Sequence, residues 1–318
     1  MQKDALSLLL ETSGVHGTIF CRAKLAEPWS VITRGSVAIG KTTPAIFHVI
    51  VRGEGYVKVL DDADSPPVPW SSGDVILIPH GISHVMCSDP SLDPTQISSL
   101  PSPIGPDGLP CVTHGGDGEN VSILCGTISF GDDAAEVLLP HLPSLLHLQG
   151  GDGPTAAWLD ATLTLLGAET SNALPGADSV VSRLAEVLLV QALRAWIART
   201  PDEHTSWLRA LSDPRLSRVI ELIHTEPASH WTAESLAREV GISRSILYER
   251  FREVVGEPPA SYLTRWRMHV ARRSLRQGAS LAQTAERVGY NSEAAFSRAF
   301  KRWVGSSPSV WRASQRGA

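Results

Sequence analysis

The segment Leu281–Gly305, LAQTAERVGYNSEAAFSRAFKRWVG, repeats the chemistry of Ala233–Gly256, AESLAREVGISRSILYERFREVVG. Each copy begins with a short amphipathic helix (LAREV; TAERV), turns at a glycine (Gly241-Ile242; Gly289-Tyr290) and then meets Ser or Asn-Ser. A longer basic helix follows and stops at Gly256 or Gly305. Hydroxyl side chains satisfy the orphan N–H groups at a helix start, and glycine accepts the left-handed backbone just past its end. Two helices joined by such a turn make a helix-turn-helix, here present twice.

Between the copies, PPASYLTRWRMHVARRSLRQG runs from Pro258 to Gly278. Proline at a helix start and glycine beyond its end predict one continuous helix. Its roughly 19 residues would span about 28 Å, near the ~34 Å separation of successive major-groove windows. One chain can therefore present two reading helices without dimerising.

Periodicity sorts the faces. In the first copy Leu236, Ala237, Val240, Ile242, Leu247, Phe251 and Val254 share a core face, opposite Arg244, Ser245, Tyr248, Glu249 and Arg252. In the second, Val288, Phe296, Phe300 and Val304 read as core, and Asn291, Ser292, Glu293, Ser297, Arg298 and Lys301 face outward. Arginine bridges guanine O6 and N7, glutamate accepts from cytosine N4, and serine adapts to several edges. A merely solvated basic helix would also look like this once; two agreeing copies favour the groove. Ser292 reads mainly as a cap, which leaves Arg298 and Lys301 as the stronger contacts. Which arginines touch phosphate and which touch bases stays open at this level.

The net charge of −5 conceals an asymmetry. From Asp213 onward there are 17 Lys and Arg against 10 Asp and Glu, and before it 11 against 23, so the halves carry +7 and −12. A basic block beside an acidic one points to a polyanion-binding module attached to a partner that binds no polyanion. No apolar run approaches the ~18 residues of a membrane span and no signal segment opens the chain, so a cytoplasmic protein without membrane contact is expected. Cys21, Cys87, Cys111 and Cys125 form no CxxC or zinc-finger spacing, so reduced thiols are the default.

Asp213–Arg312 resembles the DNA-binding domain of AraC/XylS-type transcriptional regulators. WTAESLAREVGIS, RFREVVGEPPASYL and VGYNSEAAFSRAFKRWVGSSPSVWR, with their spacing, carry the resemblance over about a hundred residues. The family often has Arg where this chain has Glu249. The resemblance implies a sequence-specific DNA-binding regulator, expected to activate, with promoter DNA and RNA polymerase as partners.

Upstream the pattern is β from Trp29 to about Phe130, in SVAIG, AIFHVIVRGEGYVKVL, GDVILIPHG and VSILCGTISF, with strand-like alternation already near Gly17 to Ala23. Short strands at this spacing predict a small barrel or double-sheet roll. GDVILIPHGISH, Gly73–His84, resembles the second cupin motif and RGEGYVKV the end of the first, over roughly Ala5 to Leu148. Metal-binding cupins also need a His-x-His and a Glu, and only His48 stands nearby, so no metal or other cofactor is expected. His48 and His84 are either a ligand pair in the barrel mouth or ordinary strand and corner residues, and the incomplete set favours the second. DALSLLL, GTI with a following Cys, and LCGT resemble the reactive-chlorine-sensing branch of these regulators, which implies an oxidant as one candidate effector. Cys21 and Cys125, on the first and last strands of the roll, are the expected redox pair, with Cys111 able to reach either from a flexible loop. That loop is Asp89–Asn120, rich in Pro, Gly, Ser and Asp.

Two helices follow, Thr155–Thr170 and Ala177–Arg199. The second is apolar around nearly its whole circumference, so one face is expected on the barrel and the other on a second subunit, with Leu188 and Ala192 outward. The expected organisation is multidomain α+β: a cupin-like sensor and dimerisation domain over 1–200, a linker over 201–212, and an all-α double helix-turn-helix domain over 213–318. No catalytic constellation accompanies it, so an enzyme is not expected; a metal-dependent cupin enzyme fused to a DNA-binding domain is the alternative.

Overall fold

The computed structural model describes residues 6, 7, 10, 15–36, 43–60, 65–105, 108–131, 135, 137–150, 156–172, 175–199 and 206–316. It divides into two compact units, Ser13–Ala198 and one built on Arg199–Ala318.

The first unit is a two-sheet roll with trailing helices. Its strands are β1 (His16–Ala26), β2 (Ser30–Thr33), β3 (Ala45–Arg52), β4 (Glu54–Val59), β5 (Val68–Ser71), β6 (Val75–Ile78), β7 (His84–Cys87), β8 (Thr95–Gln96), β9 (Cys111–Gly115), β10 (Asn120–Ser129) and β11 (Leu146–Leu148). One sheet has the order β11-β6-β3-β10-β1-β9 and the other β5-β4-β7-β2-β8. Strand alternation sends Ile19, Cys21, Ala23 and Leu25 of β1 inward. Trp29, Ile50, Val57, Ile76 and Met86 meet them between the sheets. The Gly-Asp corner is locked by Asp74, whose carboxylate accepts from Ser71 N at 2.9 Å, Gly150 N at 2.7 Å and His147 Nε2 at 2.8 Å. Burial raises the Asp74 pKa, and these bonds together outweigh it and hold the carboxyl below its ordinary value.

The segment expected to be one long loop is partly strand. β8 runs parallel to β2 and β9 parallel to β1, each closing the edge of a sheet. A free edge recruits backbone N–H and C=O groups whatever the side chains, so a Pro- and Gly-rich composition does not forbid pairing there. The strand expected in SVAIG falls largely on 37–40, outside the described residues.

Helix α1 (Ala156–Asn172) and helix α2 (Ala177–Arg199) follow the roll. Helix α2 meets β1 where Gly17 lies: a Cβ there would stand 2.2 Å from the Ala185 Cβ. Ser182 completes the contact, its Oγ 2.9 Å from His16 Nδ1 and accepting from Gly17 N at 3.2 Å. Leu188 and Ala192, expected outward, are instead 3% and 2% exposed within the single chain. The outward row is Val180, Arg183, Val187 and Arg194, because a 100° step per residue puts these opposite Val181, Ala185, Leu188 and Ala192.

The second unit is all helical: α3 (Trp207–Ala210), α4 (Pro214–Thr225), α5 (Ala233–Glu239), α6 (Arg244–Val255), α7 (Pro259–Arg276), α8 (Leu281–Arg287), α9 (Glu293–Val304) and α10 (Pro308–Arg316). Part of the expected linker belongs to its core. Trp207, Leu208 and Ala210 are fully buried, and Ser206 N donates to Val254 O at 2.8 Å. Polar neighbours disguised this turn, since one tryptophan and one leucine give no period to read.

Candidate nucleic-acid interface and sensor core

In the first helix-turn-helix, Thr232 and Ser235 form a capping box, with Ser235 N donating to Thr232 Oγ1 at 3.0 Å and Thr232 N to Ser235 Oγ at 2.8 Å. The turn passes through Gly241, and Ser243 Oγ caps α6 by accepting from Ile246 N at 3.3 Å. Leu247, Phe251, Val254 and Val255 are buried beneath α6. Arg244, Ser245, Tyr248, Glu249 and Arg252 are all exposed along it. Val240 and Ile242, expected in the core, are half-buried at the turn. Ile246 is exposed on the same helix and offers an apolar contact that the charge pattern did not flag.

The second unit repeats this with Ser280 and Gln283 as the capping box. Its turn needs glycine: Gly289 has φ 74°, and a Cβ there would lie 2.5 Å from Ala228 O. Ser292 Oγ accepts from Ala295 N at 3.2 Å, so this hydroxyl is engaged in capping α9. Phe296 and Phe300 are buried with Val288, Met268, Ala271 and Leu275. Asn291, Ser292, Glu293, Arg298 and Lys301 are exposed, Ser297 is half-buried, and Val304 is packed against the core edge.

Helix α7 spaces the two units. Its 18 residues span about 27 Å. From its middle, Arg267 donates through Nε to Pro227 O at 2.7 Å and through Nη2 to Ser229 O at 2.9 Å. That clamps the segment between α4 and α5 onto α7, beside the Gly289 turn. Arg267 was not singled out by sequence, because its partners are backbone carbonyls forty residues away. Other arginines are committed to structure, Arg250 to Asp213 and Arg265 to Glu257 at 2.7 Å. Among the described residues, Arg244, Arg252, Arg298 and Lys301 enter no ion pair, which leaves their charge for an outside polyanion.

Inside the roll, four chemically active side chains form one line. β1 pairs antiparallel with β10 so that Cys21 faces Cys125, just past a bulge between Ile19 and Cys21. Both thiols are buried on the inner face of that strand pair. Cys125 Sγ lies 3.2 Å from His48 Nδ1, His48 Nε2 lies 2.8 Å from His84 Nε2, and His84 Nδ1 lies 3.1 Å from Ile82 O. A carbonyl only accepts, so His84 carries its proton on Nδ1 and accepts at Nε2. His48 then donates from Nε2, and its Nδ1 accepts from the Cys125 thiol. Burial, with His84 alongside, pushes the His48 pKa well down, and burial takes His84 to about 4, so both rings are neutral. The two histidines expected to be independent strand and corner residues are thus a bonded pair. Among the described residues no group of three or more His, Cys, Asp or Glu is arranged to hold a metal ion.

The other thiols stand apart. Cys111 lies on β9 beside Arg22, not on a loop, and strand alternation places it on the face opposite Cys21. It therefore reaches neither Cys21 nor Cys125 without breaking β9 from the sheet. Burial and nearby Asp89 push the Cys87 thiol up to about 11.

The Cupin family matches residues 4–198 and the family Helix-turn-helix domain matches 236–314. A putative AraC-like transcription regulator of Streptomyces antibioticus is 35% identical over 89% of this chain and 92% of its own. The chain belongs to the AraC-like transcriptional regulators. The regulator AlkR of Acinetobacter baylyi is 31% identical over 97% of this chain and 99% of its own. The RCS-specific activator RclR of Escherichia coli is 29% identical, over 97% of each chain. This AraC-family regulator thus joins a cupin unit to a helix-turn-helix DNA-binding unit, and no helix among its described residues is long and apolar enough to cross a membrane.

Proposed function

We propose that this AraC-family protein is an effector-controlled activator whose helices α6 and α9 enter successive major-groove windows of one promoter. The observation that carries this is the pair of capped, exposed basic helices joined through α7, itself about 27 Å long. Arg244, Ser245, Tyr248, Glu249, Arg252, Asn291, Glu293, Ser297, Arg298 and Lys301 supply the contacts, and Ser292 positions α9. The cupin unit, residues 13–198, receives the effector, a small molecule or an oxidant. RNA polymerase is the downstream partner, and the site of action is the bacterial cytoplasm. Activation follows the Escherichia coli relative, an activator.

Arg298, exposed on α9, is the residue we propose reads a base. Arg298→Ala is expected to cost about 1–3 kcal/mol of binding and to relax preference at one position of the footprint. Uniform weakening across all sequences, with the preference intact, would make Arg298 a phosphate contact instead.

We also propose that two copies pair through the outward row of α2, where Val180 and Val187 are 40% and 42% exposed one heptad apart. Val187→Glu is expected to give monomers in sedimentation while leaving the buried face of α2 untouched. An unmodified protein that is already monomeric at micromolar concentration would remove this pairing.

A further inference from the structure

Helix α7 is shared between two cores. Its first half belongs with the first helix-turn-helix and α4, where Tyr262 meets Phe251 edge to face at 5.6 Å and its hydroxyl lies 2.8 Å from His224 Nε2. Its second half belongs with the other helix-turn-helix, where Met268, Ala271 and Leu275 pack with Phe296 and Phe300. Each reading unit therefore grips one end of α7. An apolar seat resists separation but tolerates small rotations, because the hydrophobic effect has no direction.

Arg267, at the crossing of the two seats, reaches both units. Its guanidinium donates from Nε to Pro227 O at 2.7 Å and from Nη2 to Ser229 O at 2.9 Å, on the segment that leads into α5. The same guanidinium lies 5.9 Å from the centre of the Tyr290 ring. Tyr290 belongs to the turn that leads into α9, and its ring packs on Phe296. The backbones approach as closely: a Cβ at Gly289 would stand 2.5 Å from Ala228 O and 2.9 Å from Arg267 Nη2. Beside this junction the units part, and a groove of about 540 Å³ opens between Ala228 and His230 on one side and Glu286, Tyr290 and Glu293 on the other. Charge pairing is not what places the arginine there, since among the described residues it enters no ion pair and its two acceptors are neutral carbonyls.

What the residue supplies is orientation. Two donors of one rigid plane on two carbonyls fix the rotation of a segment as well as its distance, which a single ammonium on a flexible stem does not. We propose that Arg267 is a positioning residue that fixes the rotation of the first reading unit relative to the second, and thereby sets the one spacing of half-sites that the chain accepts. This rests on the reading that α6 and α9 enter successive major-groove windows. One inserted base pair moves the second window by about 3.4 Å and turns it by about 35° around the duplex. A locked pair of units loses one set of base contacts on such a duplex, whereas a loosened pair follows part of the turn and keeps both.

The test uses the full-length protein and a duplex that it selects from a random window of about two helical turns, with hydroxyl-radical footprinting to find the two half-sites. A second duplex carries one extra base pair between them. The unmodified protein should bind the second duplex about 10²-fold more weakly, the usual cost of two lost base positions. Arg267→Lys keeps the charge and most of the reach, and should separate the two duplexes by about tenfold or less. This ratio is blind to the folded fraction, because both affinities fall alike, so a variant that is merely less stable keeps the full discrimination. Should Arg267→Lys not fold, Tyr290→Leu takes its place: it removes the ring that the guanidinium lies over, leaves both carbonyl bonds, and should narrow the ratio in the same way. A variant that discriminates as sharply as the unmodified protein, or an unmodified protein that accepts the extra base pair, overturns the proposal. Scrambling one half-site without loss of affinity strikes the two-window reading instead, and the proposal with it.

Discussion

Raising salt from about 50 to 200 mM should weaken promoter binding by about 10³-fold, because each phosphate contact releases condensed counterions. Six such contacts give a slope near −5 in a plot of log affinity against log salt. The exposed cations on α6 and α9, Arg302 among them, with Arg287 at the end of α8, are enough to supply them. Replacing Arg298 and Lys301 together should make the slope shallower by about 2 if both meet phosphate, and by about 1 if Arg298 reads a base. Fluorescence anisotropy on one promoter fragment across a salt series measures this. A slope shallower than −2 would mean that the basic helices do not lie along the DNA backbone. A shortened protein used for the same assay must begin before Ser206, since cutting at Asp213 removes the fully buried Trp207.

Acid should destabilise the cupin unit well before carboxylates protonate. His84 is neutral when folded, its pKa taken by burial from 6.5 to about 4, and His48 lies well below its ordinary value for the same reason and because of His84. Both are depressed, so the unfolded chain binds more protons than the folded one below pH 6.5. Stability is then fully present above pH 6.5 and falls as pH drops toward 4. For His84 alone the window is worth on the order of 3 kcal/mol. The DNA-binding unit has its own case in His269, taken to about 3 by burial and by Arg272, Arg276, Arg273 and Arg265 nearby. Unfolding free energies from urea titrations at pH 7.5 and pH 5 should differ by about 2 kcal/mol or more for the cupin unit. Coincident curves would contradict a neutral, bonded His48–His84 pair.

The double helix-turn-helix was legible residue by residue because its signals are local. Ser243, Gly256, Ser292 and Gly305 act within one turn of themselves, and the spacing of Leu247, Phe251, Phe296 and Phe300 follows from 3.6 residues per turn. The outward faces of α6 and α9 were therefore readable without coordinates, as was the basic charge they carry. The length of α7 came from Pro258 and Gly278 in the same way.

What tertiary structure decided lies in contacts between distant segments. Sequence could place Cys21 and Cys125 on strands, but only the register of β1 on β10 sets them opposite one another, and one residue of slip would send a thiol to the other face. His48 and His84 are 36 residues apart, and no local rule says that two rings from different sheets will bond. The edge pairing of β9 took Cys111 from an expected loop to a strand, since backbone groups pair without regard to composition. Leu188 and Ala192 turned inward because the position of Gly17 fixes which face of α2 meets the roll. Local periodicity says that a helix has an apolar face; only the partner's shape says which residues it covers.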